Sequence, residues 1–338
     1  KLIEKASAIP VPDAVPVISV APVTLAAPDR GIDLELRVSA PITGDNLPVI
    51  VLSHGHGPSL YLPSLDGYGP VARFWAAHGF VVIQPTHLNA KIYALGPDAP
   101  GAPLFWRSRV EDMSLILDRL DEIEAQVPIV AGRIDREKIA AVGHSMGGMV
   151  ATRFTSTYPE TTTHVVMVNQ IGLTDSRHGS AWTDPAAAYQ SALGTSYSSV
   201  LAGHMRYYPR GWKPEYLKWV KYQYGLTLSG HWPQMAKVRA AQRQILFEDP
   251  VVYEWQHIAT KALVIGGAED RLVSDYPAAA RHVAEELQNA ELFIFPEIGH
   301  APAFEIPEQF HTELIRFLTS DPNERADQRW RETDIGRR

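Results

Sequence analysis

The chain has 338 residues, of which 45% are hydrophobic and 20% charged, and carries a formal net charge of -7. This is the composition of an ordinary globular protein, long enough for one large core with an inserted subdomain, and a negative chain without a basic block excludes a nucleic-acid footprint. With no cysteine present, disulfides, thiolate metal sites and cysteine nucleophiles are excluded together.

Residues 1–28 are rich in Pro, Val and Ala and read as an extended N-terminal arm with an edge strand at 16–23. No signal-type apolar core follows Lys1-Leu2-Ile3-Glu4-Lys5. The first residue is Lys rather than Met, which fits a removed leader or boundary. The compartment is therefore left open between cytoplasmic and secreted. No apolar run reaches the length of a membrane span. Strands are expected at 32–38 and 48–52, the second running into Ser53-His54-Gly55-His56-Gly57. A helix at 71–78 and a strand at 80–83 follow. Residues 86–106 form a long irregular stretch that leaves a strand end and borders any cleft there. Residues 107–126 have helical periodicity, with Val110, Met113, Leu115, Ile116, Leu117 and Leu120 on the apolar side.

A strand at 138–142 leads into a helix from Met146 to about Tyr158, and 164–168 is the next strand. Strands at 262–265 and 292–295 come much later, with helices at 277–287 and 307–318. Short apolar strands alternating with amphipathic helices predict an α/β fold with a mainly parallel sheet covered on both faces. Between Gly172 and Lys261 the alternation stops and aromatic residues accumulate, with helical stretches at 214–224 and 234–247. The division that follows is an arm at 1–28, a core of 29–172 and 261–319, a helical cap at 173–260 and a loosely ordered charged tail at 320–338. The cap aromatics form its own small core, and a subset facing down would line an apolar pocket.

The strongest motif is Gly143-His144-Ser145-Met146-Gly147-Gly148, between a predicted strand and a predicted helix. A serine in that frame is held at a sharp turn over the strand end, as the G-x-S-x-G elbow requires. A hydroxyl needs a neighbouring base to be nucleophilic. The chain order for such an elbow is serine, acid, histidine, and His300, in Gly299-His300-Ala301-Pro302 after the last strand, satisfies it. His282 and His311 fall inside predicted helices and fit less well. Asp270 follows the 262–265 strand and is the expected acid. Its neighbour Glu269 would point elsewhere, and Asp175, after the preceding strand, is the alternative. The amides of His56 and Met146 are the expected oxyanion donors. His54 and His56 could instead suggest a metal pair, but no third ligand of suitable spacing is evident.

These residues resemble the α/β-hydrolase superfamily from about Gly31 to Leu318. The stretch 47–148, through Ser53–Gly57 and Gly143–Gly148, is similar to the chlorophyllase, platelet-activating-factor acetylhydrolase and cutinase-like esterases. From Tyr158-Pro159-Glu160 onward, through Val168-Asn169-Gln170-Ile171-Gly172-Leu173 and Gly299-His300-Ala301-Pro302, the chain resembles capped meta-cleavage-product hydrolases. Each half departs from the other's family, as a natural fusion or an engineered recombinant would. Haloalkane dehalogenases share the capped layout but need an aspartate where this chain has Ser145. The resemblance implies a serine carboxylic-ester hydrolase acting on a medium-sized, partly hydrophobic small-molecule ester, with no cofactor and no metal. Two rivals stand beside it. One is carbon–carbon bond hydrolysis of a dioxo acid, for which Arg107, Arg177 or Arg206 would have to meet a carboxylate. The other is a ligand receptor that keeps the triad without turnover.

Overall fold

The computed structural model describes residues 13–54, 67–93, 95, 98–102, 105–326 and 331–332. Its frame is one sheet whose strands are β1 (Val17–Leu25), β2 (Leu34–Pro41), β3 (Leu47–Ser53), β4 (Val81–Pro85), β5 (Ile134–His144), β6 (His164–Val168), β7 (Lys261–Gly267), β8 (Ala290–Phe295) and the two-residue β9 (Arg331–Glu332). Their order is β1-β2-β4-β3-β5-β6-β7-β8-β9. The two leading strands are antiparallel and every pair from β4 and β3 onward is parallel. The fold is that of the α/β hydrolases. β9 lies in the segment expected to be loose, where it pairs with Phe293 and Ile294 of β8.

Burial explains the strands. All residues of β4, β6 and β7 are buried, and a strand covered on both faces reads as a continuous apolar run rather than an alternating one. Helices α1 (Gly69–Ala77) and α11 (Pro307–Leu318) cover one face, where Val71 and Trp75 meet Phe310, Leu314 and Phe317. Helices α2 (Trp106–Asp118), α3 (Leu120–Gln126), α4 (Met146–Thr157) and α9 (Tyr276–Glu286) cover the other, with Met113, Ile123, Phe154 and Val283 in its core. The single helix expected over 107–126 is two, because Arg119 at φ -122° breaks the path. The break lets Leu120 and Ile123 turn inward, both almost fully buried.

Between β6 and β7 the chain runs through α5 (Pro185–Leu193), α6 (Tyr197–Met205), α7 (Leu217–Thr227) and α8 (Trp232–Glu248) with no strand. Asp184 caps α5 by accepting from the amides of Ala186 and Ala187, and Ser196 closes a capping box on α6. Tyr208, Tyr216 and Trp219 cluster with Ala301 and Phe304, which follow β8. The helical segment is thus seated on the chain just beyond His300. α10 (Pro302–Glu305) carries that contact.

Several histidines are folded into this frame as neutral groups. His311 accepts a 3.0 Å hydrogen bond from Trp75 Nε1. Burial, helped by the charge of His78, pushes its pKa down to about 3, and burial followed by the Lys261 charge lowers His164 to about 4. The unfolded chain therefore binds more protons than the folded one between about pH 4 and the ordinary histidine value near 6.5. This stability is present above that window and lost as pH falls through it. In urea titrations the unfolding free energy is expected to drop below pH 6.5, by about 1.4 kcal/mol per pH unit for each such imidazole. His311→Gln, which keeps an acceptor for Trp75, should reduce the slope by about that amount. A slope unchanged by the substitution would contradict the assignment.

Candidate active site

The parallel registers bring five strand ends to one edge. Ser53 pairs with Gly143, His144 with Val168, Val168 with Ile265, and Gly267 with Phe295. The residues that leave those ends are His54, Ser145, Asn169, Ala268 and Pro296, so the loops carrying Ser145, Asp270 and His300 all start from the same side of the sheet.

Ser145 is the turn between β5 and α4, with φ 58° and ψ -122°, a conformation that strains an L-residue. Its amide donates to Val168 O at 2.9 Å, and its carbonyl accepts from Gly148 N at 3.1 Å. Glycines allow the turn because backbone meets backbone. A Cβ on Gly143 would lie 1.9 Å from Gly147 O, and one on Gly147 would lie 2.4 Å from Ser53 O. Met146 opens α4, so its amide has no acceptor within the helix and points out of its positive end.

His300 is buried, and its Nδ1 lies 2.8 Å from Asp270 Oδ2. An ionised carboxylate only accepts, which puts the ring proton on Nδ1 and leaves Nε2 as an acceptor. Asp270 also receives the Leu272 amide at 2.9 Å and Asn169 Nδ2 at 2.8 Å. Burial alone would raise its carboxyl. The His300 hydrogen bond and charge, with the Leu272 and Asn169 bonds, outweigh burial and hold it below the ordinary carboxylate value. No hydrogen bond joins Ser145 Oγ to the imidazole here, and such contacts often tighten only with substrate bound.

His144 ties the two halves of the site together. Its Nε2 lies 2.8 Å from His300 O and its Nδ1 lies 2.8 Å from the Tyr68 hydroxyl. The carbonyl can only accept, so Nε2 carries the proton and Nδ1 accepts from Tyr68. Burial, then the His300 charge, lowers His144 to about 3, which keeps it neutral. From the helical segment, Tyr207 O accepts the His300 amide at 3.1 Å, and the Tyr207 and His300 rings are 5.3 Å apart. Glu305 Oε1 accepts from Gly299 N at 2.8 Å.

The residues singled out in the sequence fall as follows. Ser145, Asp270 and His300 converge on one sheet edge, with Asp270 bonded to His300. Asp175 is engaged elsewhere, accepting from Arg177 and, at 2.5 Å, from the Tyr253 hydroxyl. Glu269 is exposed. His56 lies outside the described residues. Among the described residues no three His, Asp or Glu side chains gather as a metal site would need. Arg177 is taken up by Asp175, Arg206 donates to Arg271 O at 2.7 Å, and Arg107 is exposed. Sequence reasoning missed Asn169, whose Nδ2 holds Asp270 while its Oδ1 accepts from Gly267 N at 3.2 Å. Its positive φ of 40° suits asparagine better than most residues, but that signal appears only once the turn is seen.

The glycine contacts predict a graded response. Gly143→Ala must displace the Gly147 carbonyl, and the expected loss of stability is about 3 kcal/mol or more. Gly179→Ala, where nothing lies within 4 Å of an added Cβ, should leave the melting temperature almost unchanged. Equal melting temperatures for the two variants would contradict the close approach.

The profile of the alpha/beta hydrolase family matches residues 50–313. The pimeloyl-[acyl-carrier protein] methyl ester esterase of Nitrosomonas europaea is 26% identical over 197 residues, covering 56% of this chain and 75% of the relative. A Pseudomonas aeruginosa protein described as a probable hydrolytic enzyme superposes with a TM-score of 0.71 at 25% identity, over 92% of this chain and 99% of its own. A 2-hydroxy-6-oxo-6-phenylhexa-2,4-dienoate hydrolase from Rhodococcus shares the fold, with a TM-score of 0.63 at 17% identity over 90% of this chain and 100% of its own.

Proposed function

Because the chain belongs to the alpha/beta hydrolase family, we propose that it is a serine hydrolase cleaving carboxylic esters through an acyl-enzyme. In this reading Ser145 is the nucleophile, His300 the general base, Asp270 the orienting acid, and Met146 and His56 supply the oxyanion amides. The observation that carries it is the buried 2.8 Å contact from His300 Nδ1 to Asp270 Oδ2, on a histidine whose carbonyl is bonded to the residue preceding Ser145.

In the first half-reaction Ser145 Oγ attacks the ester carbonyl while His300 Nε2 takes its proton, and negative charge gathers on the carbonyl oxygen. Collapse of the tetrahedral intermediate breaks the bond to the alcohol oxygen, which receives the proton from His300. Water then attacks the acyl-serine with His300 again as base, releasing the acid and restoring the Ser145 hydroxyl. Asp270 keeps the productive tautomer and stabilises the imidazolium without taking the proton. The aromatic cluster of residues 207–219 beside Ala301 and Phe304 supports a cap role for the inserted helices and a partly hydrophobic ester of medium size. The methyl ester esterase named above supports ester chemistry. The carbon–carbon hydrolase reading has less behind it, since Arg177 and Arg206 are engaged by other groups.

The test is steady-state hydrolysis of p-nitrophenyl esters from acetyl to decanoyl. Ser145→Ala should abolish turnover, and Asp270→Asn should lower kcat by about 10⁴-fold through the wrong tautomer. Hydrolysis that survives Ser145→Ala sinks the assignment. A folded wild-type chain that ignores every ester yet turns over a vinylogous dioxo acid would move the activity to carbon–carbon cleavage, and tight ligand binding without turnover would make it a receptor.

A further inference from the structure

A second buried polar group lies behind β3, on residues that the mechanism above does not use. Ser53 Oγ lies 3.2 Å from His87 Nε2, and His87 Nδ1 lies 2.7 Å from Asp112 Oδ2. The order serine, imidazole, carboxylate repeats that of a nucleophilic triad. Exposure decides against a second nucleophile: Ser53 and His87 are 0% exposed and Asp112 is 1% exposed, so no substrate carbonyl can reach Ser53. Both ends of the chain are capped by cations instead. Arg30 Nε donates to Asp112 Oδ1 at 2.7 Å, and Arg109 Nη2 donates to Ser53 Oγ at 3.0 Å. The Ser53 hydroxyl is left to donate to His87, which burial, then the Arg109 and Arg30 charges, hold neutral.

Arg109 is the unusual member. It sits on α2 with 0% exposure, at a position that helical patterning would fill with an apolar side chain. Burial lowers its guanidinium to about 10, which leaves it charged at neutral pH. Its Nε and Nη1 meet no hydrogen-bond acceptor among the described residues. A buried cation so sparingly matched is costly and calls for a reason. Its Nη2 also donates to His54 O. That carbonyl belongs to the first residue beyond β3, and it faces the nucleophile turn: a Cβ on Gly147 would lie 3.1 Å from it.

We infer that Arg109 is a positioning residue, which clamps the His54 carbonyl and so sets the spacing between the end of β3 at Ser53-His54 and the Gly147 turn at the Met146 end of α4. The inference rests on the Ser145 reading above. A charged donor holds a carbonyl more firmly than a neutral one, and the same Nη2 is anchored at Ser53 Oγ, which is tied in turn through His87 and Asp112 to Arg30. Of the oxyanion donors of that reading, Met146 opens α4 and His56 follows His54 by two residues in the sequence, so an error in the spacing at His54 lowers the rate of the chemical step rather than the binding of the ester.

The experiment compares wild type, Arg109→Met and Arg109→Lys. Active sites are counted by labelling to completion with a small alkyl fluorophosphonate, and kcat per labelled site and KM are measured with p-nitrophenyl butyrate. For Arg109→Met, kcat per site should fall about 10²-fold with KM within about threefold of wild type. Arg109→Lys, whose compact ammonium reaches the carbonyl without the fork, should fall about tenfold. A kcat per site within twofold of wild type, with only the melting temperature lowered, would make Arg109 structural and overturn the inference. If Arg109→Met does not fold, the lysine variant decides by the same criterion. If wild type spares the ester but is labelled, the ester reading fails alone, and the labelling rate constant still tests Arg109. Slower labelling of the variants supports the clamp and equal rates refute it. Wild type that is neither labelled nor active sinks both.

Discussion

At the centre of the molecule two backbone segments approach more closely than any side chain would permit. The end of β3 presents the Ser53 carbonyl to Gly147, and Gly147 presents its own carbonyl to Gly143 at the end of β5. This contact holds Ser145 at φ 58° and aims the first turn of α4 across the sheet edge. Because β3, β5, β6, β7 and β8 are neighbours in parallel order, every later strand delivers its following loop to that same edge. Asn169, Asp270 and His300 arrive there in succession. The geometry of the site thus follows from the sheet order and from glycines at two positions.

Electrostatics then sorts the buried groups by role. Asp270 is surrounded by donors that prefer its charged form, whereas His144, His164 and His311 sit where burial dominates and stay neutral. Neutrality matters most at His144. Only a neutral ring can accept from Tyr68 at Nδ1 while donating to His300 O at Nε2. The site therefore holds adjacent imidazoles in different settings, 4.7 Å apart: His144 bridges backbone and phenol, and His300 is the one paired with a carboxylate.

Much of this was legible in the sequence. Strands such as His164–Val168 are short, valine-rich runs, and the elbow announces itself through glycines that no other residue could replace. What was not legible depended on tertiary placement. α5 and α6 lack a clear apolar stripe, being rich in Ala and Ser, although Asp184-Pro185 and Ser196 were visible start signals. Arg109 and Asp112 are charged, yet they are among the most buried residues of their helix, whereas Leu115 and Leu117, expected on its apolar side, are only partly buried. A charge inside a core cannot be seen until its partners, here Arg30 ahead of β2, Ser53 and His54 at the end of β3 and His87 just beyond β4, are brought beside it. Asn169 is the same case in miniature, because its value lies in a carboxylate that is far along the chain.

The bond from His300 N–H to Tyr207 O joins two things that are usually considered apart. Gly299 is pressed so closely against this segment that a Cβ there would lie 2.1 Å from the same carbonyl and 2.4 Å from Pro209 Cδ. Residues 207–209 are thus part of the bearing in which the imidazole loop turns. Lifting them away would release the backbone of His300 at the same moment, so residues 207–209 and the loop of His300 hold each other in place. A displacement of residues 207–209 and a displacement of the His300 backbone would then draw on a single conformational equilibrium.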